Sequence, residues 1–229
     1  MDYLLYIETS TKNCSVAVSS AFHLLAIKEL NSINYSHSEN LHVFINDVLK
    51  EAKIDVKDLS AVVIGKGPGS YTGLRIGTAS AKGLCYALNI PLISINSLEI
   101  MSQKISVLPN QLLIPMIDAR RSEVYTMILD HNKKIVKNTW AEILTSNSFV
   151  EYANNKICVF FGDGSIKFKS IKPKVKNIFI ENECFPSAKN MILKGYKLFK
   201  KKKYESVAYY EPFYLKEFIS TNSNKKKIN

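Results

Sequence analysis

The sequence offers few residues for covalent or metal cross-links. Its four cysteines, Cys14, Cys85, Cys158 and Cys184, include no C-x-x-C pair. Such a sparse, scattered set argues against a disulfide framework and favours a reducing cytosol. The chain has 229 residues, 46% of them hydrophobic, and is therefore long enough to bury a core without such cross-links.

Long apolar runs are also missing. No stretch approaches the ~18–20 consecutive apolar residues that a membrane-spanning helix needs. The N-terminus passes from Met1 and Asp2 into a short apolar run without a basic flank, unlike a secretory signal peptide. We therefore expect a cytoplasmic protein that has no membrane contact.

Acidic residues are in deficit. The 20 Asp and Glu residues face 31 Lys and Arg residues, which gives a formal net charge of +11. A positive field of this size attracts nucleic acid and acidic partners, so a basic face that contacts RNA is one interpretation. The abundance of Lys, Ile, Asn, Tyr and Phe is also typical of AT-rich genomes whatever the function. Both interpretations stay open.

The histidines are too few and too poorly spaced to predict a metal site. They are His23, His37, His42 and His131, and no H-x-x-x-H pair occurs. His37 and His42 are five residues apart, which places them ~140° from each other around a helix. We interpret His37 as an interface or capping residue, because a metal needs several converging ligands. No G-x-S-x-G serine signature occurs either, so we predict no catalytic residue and no metal ligand.

Hydrophobic patterning divides the chain into two blocks, each opening with strands. The first block predicts strands and helices at residues 3–8, 14–18, 22–28, 39–52 (helix), 59–64, 71–88 (helix) and 91–95. The second predicts them at residues 112–117, 123–129, 146–153 (helix), 157–161 and 186–203 (helix). Ser36 and Glu39 form the S-x-x-E pattern of a capping box. We expect an α/β protein with lobes at residues 1–103 and 104–217 and a disordered tail at 218–229.

The most informative segment is the glycine loop GKGPGSYTGLRIG at residues 65–77, between a buried strand and a helix. The free amides at the start of that helix suit an anion, and Ser70 or Thr72 is placed to cap it. The loop matches neither G-x-x-x-x-G-K-[ST] nor a complete G-x-G-x-x-G. Phosphate binding and a purely structural tight turn therefore both remain open.

Three small residues, Gly73, Gly77 and Ala81, are spaced four apart and share one face of the predicted helix. Glycine inside a helix costs ~1 kcal/mol relative to alanine, so this strip needs a reason. It provides a smooth surface against which another backbone can pack closely. That backbone belongs either to this same chain or to a helix of a second subunit.

Five segments, taken in order, resemble the TsaB (YeaZ) family. They are IETST (7–11), SHSE (36–39), GPGSYTGLRIG (67–77) with AKGL (81–84), IDARRSEVY (117–125) and EPFYLK (211–216). The resemblance implies the actin-like ATPase (ASKHA, RNase H-like) fold, with two lobes that each contain a mixed sheet and helices. It also implies a part in making threonylcarbamoyladenosine beside the anticodon of tRNA.

In that family the subunit is non-catalytic and pairs with the catalytic subunit TsaD, which the ATPase TsaE joins. The resemblance implies no required cofactor, with ATP or ADP at the partner interface as an alternative, and a homodimer as an alternative state of the chain alone. Contact with tRNA would be indirect or through a basic face. Two different activities also stay open: a weak actin-like ATPase and a glycoprotease-like metallopeptidase, which the missing histidine pair disfavours.

The resemblance also assigns site residues. The pairing surface maps to helices 39–52 and 71–88, with these candidate interface residues: His37, Leu41, Ile45, Thr72, Gly73, Arg75, Ile76 and Gly77. Candidates that face a nucleotide or phosphate are Glu8, Ser10, Gly67, Gly69 and Ser70. The family usually has Asp where this chain has Glu8, and the extra methylene predicts weak or absent ATPase activity.

The segment 117–125 contains a charged cluster formed by Asp118, Arg120, Arg121 and Glu123. A solvated turn held by local ion pairs is the simpler interpretation. The resemblance favours a structural or partner-facing role instead.

Overall fold

The computed structural model describes residues 1–31, 37–153, 156–180 and 184–216. The predicted capping residue Ser36 and the predicted disordered tail at 218–229 lie outside these residues. None of the helices within the described ranges has the length and apolar character needed to cross a bilayer.

The first lobe is built on a five-stranded sheet in the order β3-β2-β1-β4-β5. Strand β1 pairs antiparallel with β2 and parallel with β4, so it lies at the centre of the sheet. Because a central strand is buried on both faces, its sequence is a continuous apolar run. A short 3-10 turn (Val56–Asp58) precedes β4. The elements are β1 (Tyr3–Glu8), β2 (Asn13–Ser20), β3 (His23–Asn31), α1 (His37–Ala52), β4 (Leu59–Gly65), α2 (Tyr71–Leu88), β5 (Leu92–Ile95) and α3 (Ser97–Ser102).

The second lobe repeats this topology strand for strand. Its sheet has the order β10-β9-β6-β7-β8, in which β6 pairs antiparallel with β7 and parallel with β9. The duplicated strand order confirms the predicted two-lobed α/β fold of the actin-like type. The elements are β6 (Gln111–Asp118), β7 (Glu123–Leu129), β8 (Ile135–Ile143), α4 (Val150–Ala153), β9 (Ile157–Phe161), α5 (Asp163–Ser170) and β10 (Asn177–Phe179).

Successive residues of β1 point to opposite faces of the first sheet, and each face has its own helical cover. Leu5 and Ile7 pack in the cluster that includes α1 and α2. Leu4 and Tyr6 pack in the cluster on the other face, with the segment that precedes and begins the last helix. Both covers exclude water from the central strand.

The last helix, α6 (Ile192–Lys200), follows a 3-10 turn (Ala188–Met191) and covers the first sheet. A side chain at Gly195 would press on Tyr6, so glycine lets α6 approach the sheet closely. We predicted residues 104–217 as the second lobe. The C-terminal helix instead returns to the first, because its apolar face fits the face of β1 that α1 and α2 leave open.

Candidate functional site

A cleft of about 780 Å³ opens between the two lobes. The first lobe contributes the turn after β1 and the glycine loop, and the second contributes the β6–β7 turn and α5. The C-terminal segment 213–216 also lines it. Three of the five residues predicted to face a phosphate, Ser10, Gly69 and Ser70, line this cleft.

The glycine loop is docked onto the β1–β2 turn. The amide of Ser70 donates a 2.7 Å hydrogen bond to the carbonyl of Ser10, and any side chain at Gly69 would strike that carbonyl. Ser70 is also the cap of α2, because its Oγ accepts a 3.3 Å hydrogen bond from the amide of Gly73. A tight structural turn is therefore sufficient to explain the glycine at position 69.

Gly67 lies beneath the cleft and does not line it. Its φ of 97° is in the left-handed region that favours glycine. Its amide donates a 3.2 Å hydrogen bond to Ser97 Oγ, and its carbonyl accepts a 2.9 Å hydrogen bond from the Ser97 amide. These two bonds fix the loop to the start of α3. The amide of Phe213 donates to the carbonyl of Lys66 at 2.7 Å, which joins the C-terminal motif to the same loop.

Glu8 is fully buried and does not line the cleft. One carboxylate oxygen accepts a 2.7 Å hydrogen bond from the Ser10 amide, and the other accepts a 3.4 Å hydrogen bond from the Ser97 hydroxyl. The carboxylate occupies the space that a side chain at Gly65 would fill. Burial raises the pKa of Glu8 above its ordinary 4.5. The longer side chain is thus held inside the fold, away from any ligand in the cleft.

The second-lobe wall of the cleft carries the charged cluster. Asp118 pairs with Lys167 at 2.6 Å and accepts a 2.6 Å hydrogen bond from the Arg120 amide. Glu123 forms an ion pair with Lys216. These pairs agree with the simpler interpretation of a solvated turn with local ion pairs. Burial raises the pKa of nearby Asp163, whose carboxylate accepts from the Asp118 amide at 3.0 Å.

The small-residue strip on α2 packs within this chain. Side chains at Gly73 and Gly77 would strike Thr9, from the turn after β1, and Ala81 is buried in the core. Thr9 Oγ1 donates a 2.8 Å hydrogen bond to the carbonyl of Gly73. Of the two explanations of the strip, the structure supports packing against this chain's own backbone at Gly73 and Gly77.

Three further predicted interface residues are also internal. The Nε2 of His37 donates a 2.8 Å hydrogen bond to the carbonyl of Thr11, and burial lowers the pKa of His37 below 6.5. Leu41 and Ile45 belong to the core cluster between α1 and the sheet. Like Gly73 and Gly77, they shape the helix pair from inside and are not on its surface.

The outer face of the helix pair consists of other residues. Thr72 and Arg75 are exposed and Ile76 is half-buried, as an interface requires. Arg75 donates a 2.9 Å hydrogen bond to the hydroxyl of Tyr71. Sequence reasoning missed the rest of this face, although helical spacing from Thr72 could have found its members on α2. We call it the outer face and define it as the exposed residues Val43, Thr72, Arg75, Ala79, Gly83 and Tyr86.

Two members of the outer face are unusual for a surface. Tyr86 is 86% exposed and Val43 is 52% exposed, so both present apolar area to solvent. Gly83 is exposed in the middle of α2, and a side chain there would meet no atom within 4 Å. In contrast to Gly73 and Gly77, no contact among the residues that the structure describes explains a glycine at that position. Within the described residues, no group of three His, Cys, Asp or Glu side chains is placed to hold a metal ion.

Comparisons with known proteins match this architecture. The model of the family described as TsaD, tRNA N6-adenosine threonylcarbamoyltransferase, matches residues 31–216. A protein of Buchnera aphidicola subsp. Schizaphis graminum, named tRNA threonylcarbamoyladenosine biosynthesis protein TsaB, is 32% identical over 83% of this chain and 91% of its own length. The Bacillus subtilis protein of that name is 31% identical over 58% of each chain.

Two solved structures share the fold. One is a Pseudomonas aeruginosa protein described as similar to peptidase YeaZ, with a TM-score of 0.82, 22% identity and coverage of 94% of this chain and all (100%) of that one. The other, YeaZ from Pseudomonas aeruginosa, has a TM-score of 0.79 at 21% identity, with coverage of 94% and 100%. The matched family model and the relatives aligned along most of the chain establish that this protein belongs to the TsaB (YeaZ) family.

Proposed function

We propose that this protein is a non-catalytic subunit required to form threonylcarbamoyladenosine beside the anticodon of tRNA. In this role it pairs with a catalytic TsaD subunit, which TsaE joins, and it supplies a surface and no reacting group. The names of its TsaB relatives support the pathway. The outer face of α2 supports the pairing.

The observation that carries the proposal is Gly83. A glycine inside an exposed helix costs ~1 kcal/mol relative to alanine, and no contact with the described part of the chain requires one there. A helix of a partner that crosses α2 closely would require it, because a side chain would hold the two backbones apart. Tyr86 lies one turn from Gly83 on α2 and presents exposed apolar area suited to the rim of such a contact, as does Val43 on α1.

Three acidic side chains support a non-catalytic role, because each of them already has partners within this chain. Glu8 is buried and accepts two hydrogen bonds from this chain. Asp118 and Glu123 are committed to Lys167 and Lys216. A glycoprotease-like metallopeptidase is not favoured, because the described part of the chain has no cluster of metal-ligating side chains.

Nucleotide binding is the second candidate. The cleft brings the N-terminus of α2 together with Lys12, Arg120 and Arg121, a combination that suits a phosphate. We propose that ATP or ADP is not required for the scaffolding role. Titration calorimetry with ATP tests this second candidate, and a Gly69→Val variant, which blocks the loop at Ser10, is the control. Binding heat that this variant abolishes, with hydrolysis by the chain alone, would favour the ATPase.

The test of the pairing role uses the outer face. Gly83→Ala, Arg75→Glu and Tyr86→Ser should each weaken association with the TsaD subunit in sedimentation or gel filtration, whereas Leu193→Ser should not. Leu193 is a matched control because it is 52% exposed on α6, on the opposite face of the sheet. Leu41→Glu would be uninformative, since Leu41 is in the core. Self-association of the chain alone, measured in the same way, should respond to the same variants.

A further inference from the structure

A dense basic region lies at the C-terminal end of α6, on the face of the first sheet opposite α1 and α2. Four consecutive lysines end the helix and begin the next turn, and a fifth lies one turn earlier. Aromatic rings lie beside them. We call this region the basic-aromatic patch, which comprises Lys197, Lys200, Lys201, Lys202, Lys203, Phe22, Tyr196, Phe199 and Tyr204.

The charges of this patch are mostly uncompensated. Lys200 lies 3.5 Å from Asp2, which also accepts a 3.1 Å hydrogen bond from the Tyr196 hydroxyl. Within the described ranges no carboxylate pairs with Lys197 or with the lysines at 201–203, all of which are exposed. Two other acids lie near the patch: Glu99 pairs with Lys194, and Glu205 accepts a hydrogen bond from the Ser94 hydroxyl. The result is a local positive field that favours a polyanion.

The aromatic members form a continuous row. The ring centroids of Phe22 and Tyr196 are 4.6 Å apart, those of Tyr196 and Phe199 are 6.2 Å apart, and those of Phe199 and Tyr204 are 6.3 Å apart. The two ends of the row are accessible, since Phe22 is 50% exposed and Tyr204 is 43% exposed. Lysines interleaved with exposed rings are typical of surfaces that hold a nucleic-acid backbone and stack on unpaired bases.

Lys202 occupies a position that favours glycine. Its φ is 52°, and its amide donates to the Phe199 carbonyl at 2.9 Å, while the Lys203 amide donates to the Leu198 carbonyl at 3.0 Å. This is the left-handed helix end at which glycine is the usual residue. A lysine in this conformation is less favourable than a glycine, so the positive charge of Lys202 is retained at some cost in folding stability.

We propose that the basic-aromatic patch binds RNA, namely the tRNA substrate of the modification, through its phosphates and one or two unstacked bases. This inference rests on the proposed function for the identity of the RNA. The patch and the outer face lie on opposite sides of one sheet, so a bound TsaD subunit leaves the patch accessible. An anionic membrane is the weaker match, because Ile192, Leu198 and Phe199 of α6 pack against the sheet and are not available to insert.

The structure offers a matched pair of variants. Lys53 has a φ of 55° and ends α1 in the same way, with its amide bonded to the Lys50 carbonyl and the Ile54 amide bonded to the Leu49 carbonyl, both at 3.1 Å. Lys202→Gly and Lys53→Gly each remove one charge and relieve one left-handed residue. Neither should lower the melting temperature. Only Lys202→Gly changes the patch.

Binding of an unmodified tRNA transcript is measured by fluorescence anisotropy, with the full chain alone and with its TsaD subunit. At about 0.1 M salt, Lys202→Gly should weaken the affinity for tRNA about five- to eightfold. It should also reduce the slope of log affinity against log salt concentration (the salt slope) by about 0.7–0.9, which is the contribution of one phosphate contact. Lys53→Gly should leave both unchanged. Phe22→Ala should weaken binding with an unaltered salt slope, because a stacked base is lost without a charge.

Three results would overturn the assignment. They are equal effects of Lys202→Gly and Lys53→Gly, no effect of either, and binding to phosphatidylserine vesicles without binding to tRNA. Pairing with TsaD, measured on the same samples, separates this inference from the proposed function. If Lys202→Gly pairs normally and also binds tRNA normally, the patch is not an RNA site and the pairing role is untouched.

Discussion

Thr9 Oγ1 donates a 2.8 Å hydrogen bond to the carbonyl oxygen of Gly73, which joins the turn after the first strand to the glycine-rich helix. The next residue along the turn, Ser10, accepts from the amide of Ser70 at 2.7 Å. The segments IETST and GPGSYTGLRIG therefore pack directly against each other, and we call this contact the joint. Their glycines serve the close approach of two backbones, and the same joint fixes the direction in which α2 presents its outer face.

The two kinds of glycine on α2 should respond oppositely to alanine. Gly73→Ala should lower the free energy of unfolding by about 1–3 kcal/mol, because the methyl group would strike the Thr9 carbonyl. Gly83→Ala should raise it by ~1 kcal/mol, because alanine is the better helix former and no atom of the described residues lies within 4 Å of the added methyl group. Urea unfolding of the isolated chain measures both. A Gly73→Ala variant as stable as the unmodified protein would show that the Thr9 carbonyl leaves room for a side chain at position 73.

Glu8 should make the protein less stable as pH rises. Its pKa in the folded state is above 4.5, so its contribution to stability is complete below 4.5 and is lost as pH rises through the folded-state value. Glu8→Gln keeps the shape without the charge, and its stability advantage over the unmodified protein should grow between about pH 4.5 and 8. Denaturant midpoints at a series of pH values measure this. A constant difference across that range would contradict a buried, destabilised carboxylate.

His37 should make the folded protein less stable in acid. Its pKa in the folded state is below 6.5, so the unfolded chain takes up the proton more readily and stability is lost as pH falls below 6.5. His37→Gln retains a side-chain N–H for the Thr11 carbonyl and should flatten this part of the profile. Comparing the two unfolding curves between about pH 7 and 5 isolates the effect of this histidine. If the stability of the two proteins depended on pH in the same way, a contribution from His37 would be excluded.

The thiols should be unreactive until the protein unfolds. All four cysteines are buried and free, and burial raises the pKa of Cys14, Cys85 and Cys158 to about 11 and that of Cys184 above 9.0. A chromogenic thiol reagent at about pH 8 should label none of them at first, and should label all four in denaturant. Rapid labelling of the native protein would mean that a thiol is accessible.

Strong periodicity made most of the fold predictable. Helices α1 and α2 and the central strands carry long apolar patterns, and these elements lie where we expected them, within a few residues. Strand β8 was missed because it is a sheet edge with mostly exposed or half-buried residues and little alternation. Helix α5 was missed because DGSIKFKS begins at a glycine cap and contains few apolar residues.

The site was harder to predict, for a reason that the glycines illustrate. Helical spacing places Gly73 and Gly77 on one face of α2 and Gly83 on another, but only the contact with Thr9 shows which of these faces is turned inwards. The resemblance places Leu41 and Ile45 at the pairing surface, yet their apolar side chains pack in the core. Which side of a helix meets solvent is decided by tertiary contacts and not by spacing alone.

The most direct measurement of the proposed role is threonylcarbamoyl transfer to tRNA by the purified components. The chain alone should give no product, and adding it to the TsaD subunit with TsaE should restore formation of the modified nucleoside, as detected by mass spectrometry. Arg75→Glu and Tyr86→Ser should reduce pairing and product together, while Leu193→Ser changes neither. Product formed by the chain alone, or full activity from variants that no longer pair, would contradict a role based on the outer face.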